Sequence, residues 1–119
     1  MKVVRPNEVA KESFESSLFT GPAVTRQPIA RDSQDYNMNI ISFGKGVRNK
    51  LHTHGSDQVL IVTSGRGIVA TEDEEHFVAV GDIVLVPAGE KHWHGATKDS
   101  DFAHIAITRA GSSLTQIEK

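Results

Sequence analysis

Two four-residue units carry the most chemistry in this chain: His52-Thr53-His54-Gly55 and His92-Trp93-His94-Gly95, forty positions apart. In an extended strand, residues two apart point to the same face, so each unit offers two imidazoles side by side. Neutral imidazole is the commonest protein ligand for divalent Zn, Fe, Mn, Ni and Cu, and two such pairs meeting in one fold make a metal site. There is no cysteine. Thiolate ligands, Cys nucleophiles and disulfides are therefore excluded, and a reducing compartment fits.

The elements that must position these residues are strands. From Gly21 onward, short stretches rich in Val, Ile, Phe and Thr alternate with Gly, Pro, Asn and Asp, the pattern of a many-stranded all-β domain. The expected strands are 23–29, 38–43, 50–54, 58–63, 67–71, 75–80, 82–87, 92–96 and 101–108. Gly46, Gly65, Gly81 and Gly89 are read as turns between them. Parity chooses the inside of the resulting sandwich or barrel. If His52, His54, His92 and His94 face inward, Leu51, Thr53 and Trp93 face out, and an inward His104 travels with Phe102 and Ala106. Five of the six histidines can then line one cavity, leaving His76 at the surface beside the acidic turn Glu72-Asp73-Glu74-Glu75.

At 119 residues the chain is read as one domain with its own core. Residues 1–20 are a segment packing on the barrel or on a partner, through Phe14, Leu18 and Phe19. Residues 21–110 are the barrel, and 111–119 a loosely ordered polar tail. Lys and Arg total 13 against 15 Asp and Glu, without long blocks of either sign, which argues against nucleic-acid binding. No stretch reads as a signal peptide or membrane span, and the expected location is the cytoplasm.

At the histidines the chain resembles the cupins, small jelly-roll barrels built as a double-stranded β-helix. The first cupin motif is matched by Gly46, His52, His54, Gln58 and Gly65, and the second by Gly81, Pro87, Gly89, His92 and Ala96, with spacing kept throughout. Gln58 replaces the usual Glu, and Ala96 the usual Asn. The stretches 58–63, 89–96 and 103–107 are similar to the small bacterial cupins that include the manganese-dependent hydroxynitrile lyases. That resemblance implies one divalent transition metal per chain held by His52, His54, Gln58 and His92. Manganese is its expected identity, with Fe, Ni, Co and Zn as alternatives. His94 and His104 are implied as catalytic, proton-handling groups.

With Gln in place of Glu, three imidazoles and an amide leave a divalent ion its full charge. For an anion about 5 Å away, one unit charge at an effective dielectric near 20 is on the order of 3 kcal/mol, roughly a hundredfold in binding. In the lyase reading, the metal acidifies a cyanohydrin hydroxyl, His94 or His104 takes its proton, and the other protonates departing cyanide. The competing readings are an O₂-using cupin dioxygenase, separable by O₂ uptake, and a barrel that only binds a small ligand. Acid below about pH 6 is expected to strip the ion, because protonated imidazole cannot ligate. The expected partners are a small-molecule substrate and a second copy of the chain, in a homodimer or higher homo-oligomer formed through Ala23, Val24 and Ile29.

Overall fold

The computed structural model describes residues 1–119. After a 3-10 turn at Pro6–Glu8 come ten strands: β1 (Glu12–Ser13), β2 (Val24–Pro28), β3 (Tyr36–Phe43), β4 (His52–His54), β5 (Gln58–Ala70), β6 (Glu75–Ala79), β7 (Ile83–Val86), β8 (Trp93–Ala96), β9 (Phe102–Arg109) and β10 (Leu114–Gln116). Eight of them form one curled antiparallel sheet in the order β1-β2-β3-β9-β5-β6, with β7 and β8 also on β5, and β10 pairs β4 separately. No helix is long and apolar enough to cross a membrane.

Register explains where the core ends and the cavity begins. The inward residues of β2, β3, β9 and β5 stack in cross-strand rows. Val24, Phe43 and Phe102 form the first row, Arg26, Ile41, His104 and Val62 the second, and Pro28, Asn39, Ala106 and Leu60 the third. The row of Phe43 and Phe102 is apolar and fully buried, and Leu18, Phe19, Val69 and Val78 pack around it. Phe14, Phe19 and Phe43 continue as edge-to-face pairs at 5.0 and 6.0 Å. Each fully buried Leu or Phe contributes about 1.5–3 kcal/mol. Along the strands the interior becomes polar, through Asn39, Asn37 and Thr108, and opens as a cavity.

The structure departs from the sequence reading at three places. The expected strands 58–63 and 67–71 are one strand, β5, because Gly65 is a bend within it. A register shift between Val62 and Ser64, followed by φ = 67° at Gly65, turns the strand while its pairing continues. A Cβ there would sit 1.7 Å from the Asp101 carbonyl oxygen, so only glycine fits. The tail at 111–119 is not loose. Leu114–Gln116 pairs with His54–His52, and Glu118 binds Arg48 at 2.9 Å and the Leu51 N–H at 3.0 Å. Its polar sequence carries no strand signal, but backbone pairing with an open strand edge does not need one. Val24, offered as partner surface, is 1% exposed and belongs to the core.

Candidate metal centre

Strand β4 and His92, the residue before β8, come together through their backbones. The His52 N–H donates to the His92 carbonyl and the His92 N–H to the His52 carbonyl, both at 3.0 Å. This reciprocal pair joins two segments forty positions apart and sets their imidazoles against each other. Ring centroids lie 4.3 Å apart for His52 and His92, 4.9 Å for His52 and His54, and 5.3 Å for His54 and His92. One ligand nitrogen from each lies within 4.8 Å of the others.

The hydrogen bonds prepare these rings for a cation. His52 Nδ1–H donates to the Lys50 carbonyl at 2.6 Å, and His92 Nδ1–H to the Glu90 carbonyl at 2.9 Å. Each neutral ring is thereby left with a lone pair at Nε2. His54 Nε2 is buried with no partner at all. The Gln58 carboxamide oxygen faces His92 Nε2 at 3.1 Å. Two acceptors set face to face repel each other unless a cation lies between them or the amide turns over. Three converging nitrogens with an amide oxygen alongside are chemically suited to Mn, Fe, Co, Ni or Zn.

Electrostatics agree. Burial pushes the pKa of His52 down to about 4, with the Lys50 carbonyl opposing and His92 and His54 reinforcing. Burial, then His92, lowers His54 to about 4 as well. His92 is lowered chiefly by burial, against the Glu90 carbonyl. All three rings are therefore neutral near pH 7 and available as ligands.

Beside this cluster lies a second histidine pair. His104 Nε2 is 2.9 Å from His94 Nδ1, and both rings are buried, which holds their pKa below the ordinary imidazole value. Asn49, just before β4, clamps His94. Its N–H donates to the His94 carbonyl at 2.9 Å, and its Oδ1 accepts the His94 N–H at 2.8 Å. Its amino nitrogen lies 3.1 Å from His94 Nε2 and 3.4 Å from Nδ1, so its N–H donates to the ring, chiefly at Nε2. Nδ1 faces His104 and Nε2 faces the Asn49 amino group, so both ring nitrogens of His94 have a protein partner. Nothing in the local sequence marks Asn49 for this role.

A cavity of about 760 Å³ opens onto the site. His52, His54, Gln58, Asn49 and His94 line it, and Leu18, Phe19, Ile41, Phe43 and Ala106 supply apolar wall. The expectation that five histidines line one cavity is corrected in part. His92 reaches the cluster from behind the wall, and His104, 0% exposed, lies behind His94. Trp93 points outward under the Arg48 guanidinium at 4.5 Å, and His76 is a surface residue paired with Glu74 at 2.9 Å, as parity requires.

Residues 39–108 match the family described as Cupin domain. The chain is 42% identical over 113 residues to an (R)-mandelonitrile lyase of Granulicella tundricola, covering 90% of this chain and 83% of that one. It is 35% identical over 60 residues to an acireductone dioxygenase of Pseudomonas paraeruginosa, covering 47% of this chain and 33% of that protein. Among solved structures, a cupin-like protein from Thermotoga maritima superposes with a TM-score of 0.82 at 26% identity, over 90% of this chain and 84% of that one. The polyketide cyclase RemF from Streptomyces resistomycificus superposes at 0.88 with 14% identity, over 100% and 87%, a likeness of fold alone. The family match spans more than half of the chain and agrees with the curled sheet and the meeting of the two histidine motifs: this chain belongs to the cupin family.

Proposed function

We propose that the chain is a metal-dependent enzyme acting on a small molecule, most concretely one that cleaves or forms a cyanohydrin, with manganese as its metal. The observation that carries this reading is the all-neutral donor set facing a cavity whose wall contains no Asp or Glu. Such a site favours substrates that become anionic during reaction. The lyase relative at 42% identity supports it. His52, His54, His92 and Gln58 would hold the ion, which when bound supplies a Lewis acid that lowers the pKa of a substrate hydroxyl.

The remaining work falls to His94, with His104 acting through it. When His94 Nδ1–H donates to His104 Nε2, His94 Nε2 carries a lone pair that takes the hydroxyl proton in place of the Asn49 amino hydrogen bond. Moving the Nδ1 proton across the 2.9 Å contact then passes the charge to His104 and leaves His94 as a neutral Nε2–H donor. Carbon–carbon cleavage releases the aldehyde or ketone, and His94 returns a proton to cyanide while recovering one from His104. Burial holds both rings neutral at rest, so the pair gives the proton back readily. The apolar wall receives the organic part of the carbonyl compound.

The test is metal analysis of untagged protein, then cyanide release from mandelonitrile under air and under nitrogen. Cyanide release that requires metal and is indifferent to O₂ supports the lyase. Equal release from metal-free and metal-loaded protein overturns it. The partial likeness to acireductone dioxygenases motivates the O₂-using reading, for which turnover stops under nitrogen. Stabilisation by ligands without any turnover would leave a binding protein. The chain is further proposed to act in the cytoplasm as a homodimer or higher homo-oligomer, a state that light scattering measures.

A further inference from the structure

One more charged side chain faces the cavity. Arg26 lies on β2 with the inward parity of Val24 and Pro28, in the same row as Ile41 and His104. Its guanidinium carbon is 4.5 Å from the centroid of the Phe14 ring, and its Nε is buried without a partner. Glu12, opposite Arg26 in the β1–β2 register, gives its carboxylate to Arg31 at 2.9 Å. Arg31 is the only other Arg or Lys on the cavity wall, which has no acid. Arg26 is thus a cation without a counter-charge in a cavity that offers none.

Stacking on an aromatic face fixes the guanidinium plane while leaving its edge N–H groups free, the geometry for bidentate recognition of a planar anion. A partly desolvated, unpaired guanidinium is costly, and an entering anion offsets that cost. One free cation suits a monoanion better than a phosphate. The apolar wall around it suits a carbon skeleton. Resting on the reading of the histidine cluster as a metal centre, we propose that Arg26 is a specificity-determining residue and that the substrates are small organic acids. Their carboxylate sits on Arg26, and a hydroxyl or carbonyl reaches the three histidines. In the lyase reading, the favoured carbonyl compounds are then aldehyde acids or keto acids.

The test compares ω-hydroxycarboxylates of graded chain length with their matching primary amides, by calorimetric binding to metal-loaded and metal-free protein. For the best-fitting length, the acid is expected to bind about tenfold or more tightly than the amide, from a charge-assisted hydrogen bond of about 1.5–3 kcal/mol. Arg26→Gln should bring that ratio to about one, and Arg26→Met, which keeps the stem on Phe14, is the second variant should Gln disturb the packing. A ratio near one at every length in the wild type, or one unchanged in both variants, overturns the proposal. Metal removal should weaken acid and amide alike and preserve their ratio. If metal removal changes neither affinity, the metal reading fails while the assignment of Arg26 stands.

Discussion

In the proposed metal centre Gln58 would set the charge, since its amide faces His92 where the resemblance to cupins leads one to expect a carboxylate. Gln58→Glu should strengthen metal retention and weaken cyanide binding by roughly a hundredfold, from one unit charge about 5 Å away. Metal content and a cyanide titration measure both, and unchanged cyanide affinity would show that residue 58 does not act on the bound anion. His94→Ala should lower metal-dependent cyanide release by about 10²–10⁴ while leaving metal content intact. His104→Ala, acting one hydrogen bond further away, should cost about 10- to 100-fold. Metal loss in His94→Ala would instead make His94 a ligand.

At the scale of elements, β4 is held from both sides. The reciprocal hydrogen bonds of His52 and His92 fix one edge, and β10 pairs with the other. Deleting residues 112–119 should expose that edge, lower the melting temperature and weaken metal binding by about 10- to 100-fold, as loss of support behind ligands does. Glu118→Gln is the milder counterpart. It breaks a partly exposed pair with Arg48 and should cost less than about 1 kcal/mol. Metal affinity unchanged by the deletion would show that β10 does not hold the ligand strand.

For the whole molecule, the buried histidines couple stability to pH. Burial holds His52, His54 and His104 at about 4 in the folded state against 6.5 for the free side chain. Between these values the unfolded chain binds protons that the folded chain refuses, so stability falls as pH falls from about 6.5 to 4. The melting temperature of metal-free protein should decline steadily through that window. Metal release should lie toward its acid end, not just below pH 6 as ordinary imidazoles would give, because the ligand rings stay neutral further down. A melting temperature flat from pH 6.5 to 4 would contradict neutral burial.

The sequence alone determined what depends on local periodicity: an all-β chain, the inward parity of His52, His54, His92 and His94, the outward Trp93, and the motif spacing at Gly46, Gln58, Gly81 and Pro87. The hidden parts depend on contacts between residues far apart in the chain. A glycine in a sheet reads as a turn until register shows that β5 bends through Gly65 without breaking. A polar tail reads as loose until an open strand edge is found for it. Asn49 and Arg26 look like ordinary surface residues until hydrogen bonding to β8 holds the one, and the register of β2 the other, on the cavity wall. Periodicity says which face a side chain takes, but only long-range strand register, fixed by packing of the shared core, says which faces meet.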